Sequence, residues 1–223
     1  MKLINQIIGI ILRDYFISLR NFNEVLTSIL FFFLSLFVFI FSIGPDSKTL
    51  QITGVGILWS LLLLSSTLSL NKYYQTDFDN GSIVVIHMSG LSYEFISFLK
   101  IISHFIFVFI PFLVSIPIAS ILINIEVEKI FSLLISFFIG SFILSCIGSI
   151  SSAMNLLNKR NFSLGSVIVI LFSIPVIIFS VGMVNSDHNY SNFLNILIGI
   201  LLIFLAITPW VSGICIKLAL ENK

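Results

Sequence analysis

Three histidines, two cysteines and ten acidic residues are what this 223-residue chain offers for acid–base, nucleophilic or metal chemistry. None falls in a spacing that makes a catalytic site. The chain has no His-Glu-x-x-His to hold zinc on one helix face, no Gly-x-Ser-x-Gly elbow and no Cys-x-x-Cys-His. The nearest approach to the phosphate-binding pattern G-x-x-x-x-G-K-[ST], Ser42 to Thr49, has serine at both required glycines. The chain therefore does not hydrolyse ATP alone. Cys146 and Cys215 lie in apolar runs and read as small buried hydrophobes, and no metal site is expected. His188, beside Asp187 in a polar stretch, reads as solvated rather than as a metal or haem ligand, and His87 as a surface residue. His104 is different. It stands four residues after Lys100 at the edge of an apolar run, where an ionisable group is a functional candidate by default and otherwise an interhelical hydrogen-bonding group.

The elements that must position these residues are set by lipid. Hydrophobic residues make up 58% of the chain and charged ones 9%, against roughly 25% charged in soluble domains. This excludes a soluble globular domain, and a net charge of +1 with no basic stripe excludes nucleic-acid binding. A helix that crosses the hydrocarbon needs about 20 mostly apolar residues, because every backbone N–H must be paired internally. Six stretches qualify: Val25–Ile43, Ile52–Leu70, Ile101–Ile123, Ile130–Met154, Ser163–Val184 and Phe193–Ile216. The fold class is thus an all-α integral membrane protein, one transmembrane domain over 1–223.

Basic residues orient it. A cytoplasmic N-terminus leaves only Lys48 and Lys129 outside and puts Lys2, Arg13, Arg20, Lys72, Lys100, Lys159, Arg160, Lys217 and Lys223 inside, with both termini cytoplasmic. No cleavage site follows Met1-Lys2-Leu3, so the N-terminus reads as mature. Within 1–24, Leu3, Ile4, Ile7, Ile8, Ile11, Leu12, Tyr15, Phe16 and Leu19 recur at helical spacing opposite Gln6, Gly9, Arg13 and Arg20. That pattern predicts an amphipathic helix in the cytoplasmic interface.

Only one connection, 71–100, is long enough to be a structure of its own. Asn80-Gly81 and Ser89-Gly90 are turn signals, and Ser82 and Ser92 are candidate N-caps, so a short helix between two turns is expected. Asp77, Asp79 and Glu94 rim the apolar run Ile83–Ile86. The surface made by Asp77, Phe78, Asp79, Gly81, Ser82, Ile83 and Ile86 is a docking candidate, with membrane anchoring by the apolar run as the alternative.

In the fourth span Ser141, Ser145, Ser149 and Ala153 fall at four-residue intervals, a flat stripe for close helix packing within the chain or between copies. Pro111, Pro117, Pro175 and Pro209 lie inside spans and read as static kinks.

The ordered set Ser42-Ile43-Gly44-Pro45, Gly56-Ile57-Leu58-Trp59, Asp77-Phe78-Asp79-Asn80-Gly81-Ser82, Lys100 with His104, Pro111 and Pro117, Leu157-Asn158-Lys159-Arg160, Ser173-Ile174-Pro175 and Thr208-Pro209 resembles the cytochrome c maturation protein B family (CcmB, haem exporter protein B) over essentially the whole chain. One departure is Ile83-Val84-Val85-Ile86-His87, more apolar than the family's loop and without its Glu-Gln.

The resemblance implies an ABC-2-type permease subunit of the bacterial inner membrane or the mitochondrial inner membrane. It would work with a separate CcmA-like ATPase, CcmC-like and CcmD-like membrane subunits and a CcmE-like haem chaperone, as two membrane copies or a heteromer. ATP would be bound by the ATPase, and the complex would deliver haem, or release the loaded chaperone, for cytochrome c maturation. No cofactor is expected on this chain itself, since Trp59 and Trp210 are too far apart for a tryptophan-rich haem loop. The alternatives are an ABC-2 permease for a drug, peptide or polysaccharide and, less favoured, an intramembrane enzyme.

Overall fold

The computed structural model describes residues 2–20, 22–44, 46–70, 73–157, 163–186 and 189–222. His188 with Asp187, and Pro45, Lys72, Lys159, Arg160 and Lys223, lie outside the described residues. Ten α-helices follow one another with no strand among the described residues: α1 (Lys2–Arg20), α2 (Phe22–Ile43), α3 (Ser47–Leu70), α4 (Gln75–Asp79), α5 (Ser82–Met88), α6 (Tyr93–His104), α7 (Ile110–Leu122), α8 (Val127–Leu157), α9 (Ser163–Asn185) and α10 (Tyr190–Glu221). A π-helical turn, Phe105–Phe109, joins α6 to α7. Six helical stretches are long and apolar enough to cross a bilayer, with α6, the π turn and α7 forming one of them. The protein is an all-α integral membrane protein.

The spans run a few residues past the apolar stretches seen in the sequence, and the largest difference is at the third. It begins at Tyr93, not Ile101, because Ser92 Oγ accepts the Phe95 N–H at 3.3 Å and caps α6 there. The connecting segment is correspondingly shorter than 71–100. It also holds two short helices rather than one. Ser82 is not the N-cap of the second. Gly81 is, at φ +70, a backbone state that a Cβ would strain, so the Asn80-Gly81 turn itself launches α5.

Between helices in lipid the gain is close packing rather than escape from water, so small residues mark the contacts. Ser141, Ser145, Ser149 and Ala153 are all buried along α8. Next to Ser141, Gly140 lies under the Trp59 ring, where an added Cβ would sit 2.1 Å from Trp59 Cη2, and Trp59 stacks on Phe137 at 4.4 Å. Gly213 of α10 meets the backbone of Glu94 in the same way. By contrast Leu34, Val38 and Phe41 of α2 are exposed, as apolar side chains on a lipid-facing helix can be at no cost.

Pro111 follows the π turn. Its missing N–H and its ring deprive the Phe107 carbonyl of its helical partner, a local cause for the widened turn. Pro117, Pro175 and Pro209 are carried inside continuous helices.

The polar side of α1 does not face water alone. Ile10 packs with Leu91, Ile96 and Leu99, and Gln6 Nε2 donates to the Ser89 carbonyl at 3.1 Å. The helix lies on the α5–α6 connection, with Leu12, Phe16 and Leu19 turned outward.

Candidate functional site

At one end of the bundle, four charged side chains from three elements meet, three of them buried and Arg13 partly exposed. Asp77 of α4 accepts from Arg13 Nη2 at 2.6 Å and is paired through its other oxygen with Lys100 Nζ. Asp14 Oδ1 lies 3.3 Å from Lys100 Nζ and 3.2 Å from Arg13 Nη2. Asp14, Asp77 and Lys100 are each less than a tenth exposed. Two cations and two carboxylates cancel, which is the condition for keeping such charges at this depth. The cluster ties the segment between α3 and α6 to α1 and to the third span.

Immediately before α4, two tyrosines drive the same segment into the bundle. Tyr73 lies against the His104 ring, with centroids 4.4 Å apart. Tyr74 is fully buried, its hydroxyl 2.7 Å from Ser149 Oγ, which is in turn 2.9 Å from Ser212 Oγ of α10. The Tyr74 backbone N–H donates to Ser152 Oγ at 3.2 Å. Burial pushes the Tyr74 phenol up to about 12, so it stays protonated and keeps its donor. The Tyr73 phenol is raised for the same reason. Ser149 thus contributes a hydroxyl as well as a small volume, and Ala153 packs with Tyr74, Phe78 and Ile83. His104 meets Ser145 Oγ of α8 at 3.2 Å through Nδ1.

The seven loop residues singled out in the sequence separate into two sets. Asp77, Phe78 and Ile83 are buried inside the chain and do not form surface. Their burial has a simple cause: Asp77 has found two cations, and the two apolar residues fill the gap between α8 and α10. Asp79 is exposed, Gly81, Ser82 and Ile86 are half-buried, and the outward ridge of α5 is made instead by Val84, Val85 and Met88. Asp79 is held by Gln75 Nε2 at 2.9 Å. Behind the ridge, His87 stacks on Tyr93 at 4.0 Å and meets the Leu91 carbonyl at 2.7 Å through Nδ1.

Arg13, Asp14, Lys100, Tyr73 and Tyr74 were not singled out for this role by sequence pattern. The available signal was the adjacent Arg13-Asp14 pair inside a run of apolar residues, since charge embedded in such a run requires a partner. Cys146 is buried and Cys215 half-buried.

The model of the family described as CcmB protein matches residues 5–219. This chain belongs to the CcmB family. Proteins named Heme exporter protein B are similar to it: 31% identical over 161 residues in Haemophilus influenzae, covering 72% of this chain and 73% of that protein. The relative of the same name in Bradyrhizobium diazoefficiens is 29% identical over 162 residues, 73% of each chain. That in Pseudomonas aeruginosa is 25% identical over 158 residues, 71% of each. In this CcmB family member the match runs from within α1, through the α4–α5 hairpin, to the last turn of α10.

Proposed function

We propose that this chain is the permease subunit of an ABC transporter complex for cytochrome c maturation, and that α4–α5 is where a separate, CcmA-like ATPase docks. The family and its relatives' names supply the haem connection. The docking assignment is carried by one observation: the α5 ridge Val84, Val85 and Met88 is exposed on a short hairpin whose other side is fastened to α1, α6, α8 and α10 by buried ion pairs, tyrosines and apolar contacts. An element with a sticky outer face and a fixed inner face passes a push on to the spans. A ridge that merely dipped into lipid would need no such fastening.

On this reading the hairpin and both termini face the cytoplasm and the protein sits in an inner membrane. ATP is bound and hydrolysed by the partner, and the stroke serves haem delivery or release of a haem-loaded CcmE-like chaperone, with CcmC-like and CcmD-like subunits alongside. Haem is cargo of the complex rather than a group resident on this chain. The single domain supplies one membrane half, so two membrane subunits complete the transporter.

Replacing Val85 and Met88 together by Asp is expected to abolish co-purification with the ATPase while membrane insertion and thermal stability stay at wild-type level. Full ATPase binding by that variant sinks the docking assignment. Deleting the gene is expected to remove holocytochromes c; normal cytochromes with altered export of a drug, peptide or polysaccharide would move the chain to another ABC-2 role.

A further inference from the structure

Between α1, the first turn of α2, the Tyr73–Thr76 segment and the junction of α6 with the π turn lies a cavity of about 150 Å³. Ser103 and His104 line it, together with Asp14, and one wall is apolar through Ile17 and Phe107. Four side-chain atoms of the lining residues are buried with no hydrogen-bond partner: Asp14 Oδ2, Tyr73 Oη, Ser103 Oγ and His104 Nε2, and the Tyr73 hydroxyl can accept as well as donate. Ser103 is 3% exposed and Asp14 7%.

Their chemistry follows from their neighbours. Ser145 has a single hydroxyl proton and donates it to the Ile101 carbonyl at 3.2 Å. Toward His104 it must therefore accept, which puts the imidazole proton on Nδ1, 3.2 Å away. With its proton on Nδ1, the neutral ring offers a lone pair at Nε2. Asp14 Oδ2 is a carboxylate oxygen, and Ser103 Oγ accepts as readily as it donates. Lys100 and Arg13 are paired with Asp14 and Asp77, Arg13 through Nη2. Among the described residues the cavity thus presents mainly acceptors, and Glu24 is part of its wall.

Its position narrows the donor. The outward face of α1, with Leu12, Phe16 and Leu19, is exposed and apolar beside the cavity, which fits a helix lying at headgroup depth. We propose that this cavity binds a primary ammonium group through Asp14 Oδ2, Ser103 Oγ and His104 Nε2, with the chain attached to it leaving past Ile17 and Phe107. A phosphatidylethanolamine headgroup and a soluble amine both carry that group.

The test uses the purified full chain in dodecyl maltoside, its thermal unfolding followed on addition of phosphatidylethanolamine or phosphatidylcholine in mixed micelles, with free ethanolamine as the soluble arm. Phosphatidylethanolamine is expected to raise Tm by about 5 °C at saturation. Phosphatidylcholine, whose quaternary nitrogen has no N–H, leaves it unchanged. A rise with the lipid alone makes the headgroup the source; a rise with ethanolamine as well makes it any primary amine, and both outcomes support the site. Ser103→Ala is expected to unfold at or above the wild-type temperature in phosphatidylcholine, because it deletes an unpaired hydroxyl, and yet to lose the phosphatidylethanolamine shift. His104→Phe, which keeps a ring against Tyr73, is the second variant and loses the shift too. Equal shifts with both lipids, no shift with any amine, or a full shift retained in both variants overturns the proposal.

Discussion

Asp77 makes the sharpest case for why a residue's type did not reveal its role. In the sequence it is one acid of a polar loop; in the fold it is buried against two cations. Replacing it by Asn leaves Lys100 and Arg13 to share Asp14, and losing one member of a buried ion pair costs about 3–5 kcal/mol. The double variant Asp77→Asn, Lys100→Met removes one charge of each sign and keeps the Arg13–Asp14 pair, so it is expected to be less destabilised than Asp77→Asn alone. Thermal unfolding of the four forms as a double-mutant cycle reads this directly, and strict additivity would contradict the coupling. Tyr74 carries a pH signature. Its phenol ionises near 10 in an unfolded chain and near 12 when folded. Below pH 10 both states are protonated and nothing depends on pH. Between 10 and about 12 the unfolded chain loses the proton first, so stability falls by about 1.4 kcal/mol per pH unit. Tyr74→Phe is expected to flatten that part of the slope and, in unfolding curves at pH 8, to cost about 1 kcal/mol for the lost bond to Ser149.

At the scale of elements, Gly81 sets how α4 and α5 meet. At φ +70 it takes a conformation that costs roughly 1–2 kcal/mol for a residue with a Cβ, though Asn tolerates it better. Gly81→Ala is therefore expected to lower Tm and speed proteolytic nicking between α4 and α5, with Gly81→Asn intermediate; identical nicking rates would mean that the turn is not under this constraint. The elements themselves were largely legible in the sequence, because a membrane helix must be about 20 apolar residues long and few other things look like that. The turn at Asn80-Gly81 and the cap at Ser92 were legible too, as local chemistry. What was not legible is pairing over distance. Arg13 and Asp77 lie 64 residues apart and Asp14 and Lys100 86 apart, and no local period links them. Phe78 and Ile83 were misread as surface for the same reason: the gap they fill is made by α8 and α10, far along the chain.

For the whole molecule, the proposed docking on α5 would separate gripping the ATPase from passing on its motion. Val85 and Met88 point outward and make no part of the buried cluster, whereas Asp77 and Lys100 are buried and make no part of the outer ridge. If both belonged to one surface, any damaging substitution would remove partner binding and function together. Here two phenotypes are expected to come apart. The double Asp variant at Val85 and Met88 loses the ATPase from the purified complex. The double variant Asp77→Asn, Lys100→Met keeps the exposed ridge and the apolar packing of Phe78 and Ile83, so it retains the ATPase. Its hairpin, however, has lost the buried ion pairs to α1 and the third span, and much of a stroke delivered to α5 is absorbed at the hairpin instead of moving the helices. The expected result is an assembled complex that supports less than a tenth of wild-type holocytochrome c, measured by haem staining beside co-purification of the ATPase. Normal cytochrome levels in a complex lacking the ion pairs would show that motion reaches the spans by another route, such as Tyr74 with its contacts to Ser149 and Ser152 and the packing of Phe78 and Ile83 against α8 and α10.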